Sequence, residues 1–339
     1  VFYISEIIKH TEKKIAFFCH SMIHVFNSLM LIYSSKRDLG DFVIVMATVT
    51  HADAYNHKIL ADRIEKLGIR CWSIDKKSKF RRLIGYSDYL NKRLFRDVAM
   101  LLGGYNNILM VNFCWNQQFV CYPACLFYEK VSESIFIEEG ATQYVSPKES
   151  RGVVFLKQLY GNSTNFWNDK KIKGIYVQNP DGYNAYLKSH IKKLTIDYSI
   201  LSKENKDKII SVFDEDMKLC KIYRNTNIGI VFTQPLSEDG YISENEKKEI
   251  YRGLIDKYSS FAPAVLKIHP RDRTDYSDIC ERIDSQRYPS ELLRLIGIKF
   301  RYAVGISTSA VYSVEAEIKE NTNPDFLIER RERKTQKHI

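Results

Sequence analysis

The chain of 339 residues contains no apolar run near the ~20 residues that a membrane-spanning helix requires. Apolar stretches such as 108–111 and 119–128 fall far short. The opening Val1-Phe2-Tyr3-Ile4 soon meets Glu6, Lys9 and His10, so the apolar core and small-residue cleavage site of a secretion signal are missing. There is no Cys-x-x-Cys pair. The seven cysteines (19, 71, 114, 121, 125, 220 and 280) are odd in number and scattered, and Cys121 and Cys125 have no neighbouring histidines. That usage argues against zinc and disulfides and for buried, reduced thiols in a cytoplasm. No Gly-x-Gly-x-x-Gly follows the first strand pattern, and no Gly-x-x-x-x-Gly-Lys-Ser/Thr loop occurs, which removes support for dinucleotide oxidoreductases and P-loop phosphotransferases. A Gly-x-Ser-x-Gly elbow is also missing. No Asp-x-Asp ends a strand: Asp214-Glu215-Asp216 falls in a polar helical stretch and reads as a solvated face, which disfavours a sugar transferase built around a divalent metal. Repeats and low-complexity tracts do not occur.

What is present is a core-forming composition, 45% hydrophobic and 27% charged, with 51 Lys and Arg against 41 Asp and Glu. Wholesale disorder is excluded. The net charge of +10 favours an anionic partner. Short apolar runs alternate with helical patterns: strands at 14–19, 41–47, 69–74, 107–111 and 134–137, and helices at 22–33, 52–67 and 87–102. Residues 116–128 read as a helix interrupted near Pro123. This order predicts an α/β fold with a parallel, doubly wound sheet. The pattern loosens over 141–198, where turn residues accumulate, and a second series follows: strands at 227–232, 264–268 and 301–305, and helices at 243–258, from 289, and at 309–318. The expected division is 1–175 and 176–339, two Rossmann-like units facing a central cleft.

Four signals each follow a predicted strand. Glu138-Glu139-Gly140 ends the strand at 134–137, and one of its adjacent carboxylates could act as a general base; an ordinary acidic strand-to-loop junction has the same pattern. In Leu266-Lys267-Ile268-His269-Pro270-Arg271, Pro270 restricts the backbone of His269 and two cations flank it. Such a histidine can bond or protonate a leaving phosphate, although a structural histidine would look alike. Val304-Gly305-Ile306-Ser307-Thr308-Ser309-Ala310 places hydroxyls where a helix opens, which suits an anion or simple N-capping. Lastly, Tyr288-Pro289-Ser290-Glu291 puts Glu291 in a helical first turn, where it could hold ribose hydroxyls or complement the helix dipole.

In this order the segments resemble the bacterial sialyltransferases of glycosyltransferase families 38 and 52. The marks are Glu138-Glu139-Gly140, His269-Pro270 and Ser307-Thr308-Ser309. Phe232-Thr233-Gln234-Pro235-Leu236 with Asp239-Gly240, and Pro289-Ser290-Glu291-Leu292, add to the likeness to lipooligosaccharide and polysialic-acid transferases. The resemblance implies a GT-B fold and an inverting transfer of sialic acid from CMP-sialic acid, with no cofactor and no metal. It implies that Glu138 takes the acceptor proton, with Glu139 second, and that His269 stabilises or protonates the leaving phosphate. Ser307, Thr308 and Ser309 would bind that phosphate, Glu291 would hold the ribose, and Lys267 and Pro270 would complete the donor side. Members that carry Asp in the acidic motif differ from this chain, and Asp239 is a rival base.

Competing readings are a polyol-phosphate or Kdo transferase using a CDP- or CMP-linked donor, and a basic nucleic-acid-binding protein. The second lacks any recognised RNA- or DNA-binding motif, so no nucleic-acid partner is expected. The expected partners are a CMP-sugar and a glycan acceptor, lipid-linked or free; a homodimer is compatible with the sequence. Glu329-Arg330-Arg331-Glu332-Arg333-Lys334 opens a basic tail, read either as a frayed terminus or as a peripheral contact with anionic lipid at the cytoplasmic face.

Overall fold

The computed structural model describes residues 4–47, 51–74, 86–113, 115–116, 119–120, 124–138, 170–177, 191–193, 198–216, 218–223, 227–324 and 327. They form two units, Val1–Val212 and Phe213–Ile339.

The first unit opens with helix α1 (Ile4–His10), followed by β1 (Lys14–Cys19), α2 (Met22–Ser35), β2 (Phe42–Ala47), α3 (His51–Lys66), β3 (Arg70–Ile74), α4 (Tyr86–Leu101) and β4 (Ile108–Asn112). A small antiparallel pair comes next, β5 (Trp115–Asn116) with β6 (Phe119–Val120). Then follow α5 (Ala124–Tyr128), β7 (Glu133–Ile137), β8 (Ile172–Val177), β9 (Ile191–Lys193) and α6 (Lys203–Phe213). Seven strands make one parallel sheet in the order β3-β2-β1-β4-β7-β8-β9. Sequences such as KIAFFC and ILMVN are apolar almost throughout because helices cover both faces of such a sheet. Phe18 of β1 packs against Phe95 and Phe127 with ring centroids 5.7 and 4.9 Å apart. Each such aromatic pair contributes about 0.5–1.5 kcal/mol beyond the area it buries.

The second unit contains α7 (Lys218–Ile222), β10 (Gly229–Phe232), α8 (Glu244–Tyr258), β11 (Ala264–Lys267), β12 (Ile283–Asp284), α9 (Glu291–Ile296), β13 (Lys299–Ile306), α10 (Ala310–Ser313) and β14 (Glu315–Thr322). Its sheet runs β12-β11-β10-β13-β14, again parallel. Helix α8 starts where the sequence predicts. Ser243 Oγ accepts from Glu246 N (3.2 Å) while Glu246 Oε2 accepts from Ser243 N (2.7 Å), a reciprocal capping box.

The expected α/β class with parallel sheets is present in both units, and four expectations need correction. The boundary is not at 175/176: β8 and β9 pair back onto the first sheet, so the division falls at the end of α6. Within 116–128, a two-strand hairpin precedes the short α5. The helix expected over 309–318 stops at Ser313, and 315–322 is an edge strand whose side chains are largely half-exposed. Asp214 is not on a solvated helical face; it is buried and caps α7 by accepting from Lys218 N (2.7 Å) and Leu219 N (2.9 Å). Among the described cysteines, Cys19, Cys71 and Cys280 are buried free thiols, as the sequence suggests.

Gly229 shows how tightly the second sheet is packed. A Cβ there would lie 2.0 Å from Cζ of Tyr302. That ring cannot retreat, because it is fully buried, stacks on Tyr258 at 4.9 Å and donates from its hydroxyl to Ala262 O at 3.2 Å. Gly229→Ala is therefore expected to lower unfolding stability by about 1–3 kcal/mol or more, read from denaturant midpoints.

Candidate active site

In an open parallel sheet, ligands bind beyond the strand carboxyl ends where the strand order reverses. In the second unit that point lies between β10 and β13, with β11 alongside. Three chain segments leave the sheet there, Phe232-Thr233-Gln234, Lys267-Ile268-His269-Pro270 and Ser307-Thr308, and all three contribute to one pocket that also meets Tyr288, Ser290 and Ala310. Gly305 permits the segments to converge. It pairs with Phe232, and a Cβ on it would lie 2.6 Å from Thr308 Cγ2 and 3.1 Å from Phe232 O.

His269 is fixed from both sides. Its backbone N–H donates to Thr233 Oγ1 (3.0 Å), and its Nδ1 accepts the backbone N–H of Arg271 (3.1 Å). With Nδ1 accepting, the neutral ring carries its proton on Nε2. Burial, reinforced by the Arg271 charge, lowers the imidazole pKa to about 4, so the ring is neutral at pH 7 and acts as a hydrogen-bond donor.

Lys267 supplies the buried cation. Its Nζ lies 4.1 Å from the Tyr288 ring centroid and donates to Gln286 O. Burial lowers its pKa, with Asp284 acting in the opposite direction. Asp284 is itself fully buried and accepts from Gln286 N (2.9 Å), from Tyr223 Oη (2.6 Å) and from the Tyr288 hydroxyl. Side-chain and backbone bonds thus hold the wall behind Lys267 in place.

The hydroxyl cluster divides. Thr308 lines the pocket, buried, with its N–H bonded to Asn321 Oδ1 at 3.0 Å. Ser307 has φ +49°, in the left-handed region, and its hydroxyl donates to Asn323 Oδ1 (2.7 Å). Ser309 is exposed at the head of the short α10. Of the three hydroxyl residues expected at one phosphate, Thr308 lines this pocket, whereas Ser307 and Ser309 are not among its lining residues. Glu291 opens α9 beside the pocket residue Ser290, whose Oγ lies 3.3 Å from Glu291 Oε2, and burial raises the Glu291 pKa. Asp239 forms a two-pronged ion pair with Arg271, 2.7 Å from Nη1 to Oδ1 and 3.2 Å from Nη2 to Oδ2. Asp239 is not among the residues that line the pocket.

Sequence reading names Phe232-Thr233-Gln234 as part of a likeness but not as a site. Thr233, Gln234, Tyr288 and Ser290 enter the pocket through strand-end geometry, which their residue types do not announce. In the first unit, Glu138 follows β7 directly, with its N–H donating to Tyr176 O at 2.8 Å and its side chain buried. Glu139 and the basic tail lie outside the described residues. Among the described residues, no helix is long and apolar enough to cross a membrane, and no three His, Cys, Asp or Glu side chains group as metal ligands.

The model of glycosyltransferase family 52 matches residues 150–320, which include Lys267, His269, Pro270, Glu291 and Thr308. The chain belongs to glycosyltransferase family 52. This family-52 chain is also 32% identical over 196 residues to an uncharacterised protein of Haemophilus influenzae, a match covering 57% of the chain and 62% of that relative. It therefore spans less than two thirds of the relative's length. Among solved structures it is similar to a Photobacterium damselae sialyltransferase, in the region corresponding to its GT-B domain. That alignment has a TM-score of 0.56, 14% identity, and covers 90% of this chain and 89% of the other. A Methanocaldococcus jannaschii UDP-GlcNAc 2-epimerase aligns nearly as well, with a TM-score of 0.53, 10% identity, and 94% and 91% covered. These likenesses establish the GT-B fold, which hosts more than one chemistry.

Proposed function

We propose that this family-52 chain is an inverting, metal-independent sialyltransferase that moves sialic acid from CMP-sialic acid to a hydroxyl of a bacterial cell-surface glycan, a lipooligosaccharide or a capsule. The observation that carries this reading is the convergence of Lys267, a neutral His269 and Thr308 on one pocket at the strand-order reversal of the second unit. On this reading the pocket holds the cytidylate. As the bond from the anomeric carbon to the phosphate oxygen breaks, its electron pair leaves with CMP and negative charge grows on the phosphate. The Nε2–H of His269, the Lys267 ammonium and Thr308 stabilise that charge more strongly in the transition state than in the ground state. Glu291 takes the ribose hydroxyls.

Glu138 removes the proton of the acceptor hydroxyl, whose oxygen forms the new bond on the opposite face of the sugar. Protein donors neutralise the phosphate, so the reaction needs no divalent ion. The expected result is that transfer from CMP-sialic acid, followed by CMP release, proceeds at an unchanged rate in excess EDTA. Loss of turnover in EDTA with recovery by added Mg²⁺ would overturn the metal-independent mechanism.

A further inference from the structure

Helix α8 carries two fully buried polar side chains one turn apart, Lys247 and Tyr251. Lys247 Nζ lies 2.7 Å from Glu238 Oε2 and 2.9 Å from Asp272 Oδ1. Glu238 belongs to the loop after β10, which brings Thr233 and Gln234 to the pocket; Asp272 belongs to the loop after β11, which brings His269 and Pro270. The cation therefore ties the two pocket-forming loops to one helix. Each carboxylate is held further. Glu238 Oε1 accepts from Arg273 N (2.8 Å), while Asp272 accepts from Thr274 N (3.1 Å) and Tyr276 Oη (2.9 Å). Burial works against ionising Glu238, but the bonds from Lys247 and Arg273 prevail and lower its pKa to about 2. Tyr251 Oη accepts the N–H of Gln234 (2.7 Å), and its ring meets Tyr276 edge-on at 5.7 Å. Across the rim, Arg271 and Asp239 join the same two loops through an exposed ion pair.

We infer that Lys247 is a positioning residue: by clamping Glu238 to Asp272 it fixes the His269 loop against Thr233 and so sets the imidazole at the donor pocket. The inference rests on the proposed role of His269, and Lys247 itself does not line that pocket. A surface ion pair such as Arg271–Asp239 constrains little, whereas a cation buried between two carboxylates has no solvated alternative. Displacement of a catalytic group by about 1 Å can cost on the order of 10²-fold in rate. The charged groups that act on His269 are Lys267 on β11, Arg271 and Asp272 in its own loop, and Asp239 in the opposite loop.

The test is a double-mutant cycle together with an NMR titration. Lys247→Met is expected to lower kcat on the order of 10²-fold in the native background and to add no further loss in the His269→Ala background. In the ligand-free protein, the His269 ring, partly buried and fixed, should titrate near 4; in Lys247→Met, with the loop released into water, it should move up toward the ordinary value of about 6.5. If Lys247→Met leaves the buried Asp272 carboxylate and that of Glu238 unmatched and fails to fold, the triple variant Glu238→Gln/Lys247→Met/Asp272→Asn removes all three charges and takes its place. Equal losses in both backgrounds, or an unmoved His269 titration, would overturn the inference. The titration decides the matter even if His269→Ala turns out to transfer normally, a result that would count against the proposed role of His269 and not against the clamp.

Discussion

Glu138→Gln is expected to reduce transfer by about 10²–10⁴-fold while CMP-sialic acid still binds, which places the loss in kcat and not in donor affinity. Glutamine keeps the volume of a side chain that is 9% exposed, and the backbone bond from Glu138 N to Tyr176 O is untouched, so the strand end should persist. What disappears is the group that accepts the proton. The same change at Asp239 should cost far less, because that carboxylate is engaged by Arg271 and lies outside the pocket lining among the described residues. Single-turnover assays with saturating donor separate the two. Near-normal turnover of Glu138→Gln would transfer the role of base to another carboxylate, and a severe loss in Asp239→Asn would name which one.

His269→Ala should reduce kcat by about 10²–10³-fold, the range seen when one donor to a developing negative charge is removed. Nδ1 is occupied by Arg271 N–H, so the neutral ring at pH 7 has Nε2–H to offer the leaving phosphate. His269→Asn, which restores an N–H donor but not its reach, should recover part of the loss. The fold should survive both changes, since the bond to Thr233 Oγ1 comes from the His269 backbone. Thermal unfolding of each variant checks that point alongside the kinetics. A turnover within a fewfold of the native rate would remove His269 from the mechanism.

The fold was legible wherever burial on both faces writes an apolar run, as in β1, β2, β4 and β10. It was illegible where that pressure is absent. Strand β14 lies at a sheet edge with sequence EAEIKENT, so its composition looks helical and only its pairing with β13 makes it a strand. Strands β8 and β9 lie within the turn-rich stretch 141–198, and their pairing onto the first sheet is what identifies them. Within the site, Lys267, His269 and Pro270 could be read because a cation, an imidazole and a proline directly after a strand form an unusual combination. Thr308 could not be told apart from Ser307 and Ser309, since all three are hydroxyl residues at one strand end and only the folded chain shows that Thr308 lines the pocket. Lys247 gave no signal at all; a lysine in the sequence ENEKKEIYR looks solvated, and burial appears only once the two loops close over it.

On the proposed function, the pocket at the ends of β10, β11 and β13 binds cytidylate. Calorimetric titration of the native chain and of Lys267→Met with CMP, CMP-sialic acid and CDP-glycerol tests this. CMP and CMP-sialic acid are expected to bind in preference to CDP-glycerol, and Lys267→Met to weaken both by about 10–10²-fold, as expected for the loss of one charge-assisted contact. Preferential binding of CDP-glycerol, or CMP binding that Lys267→Met leaves unchanged, would contradict it.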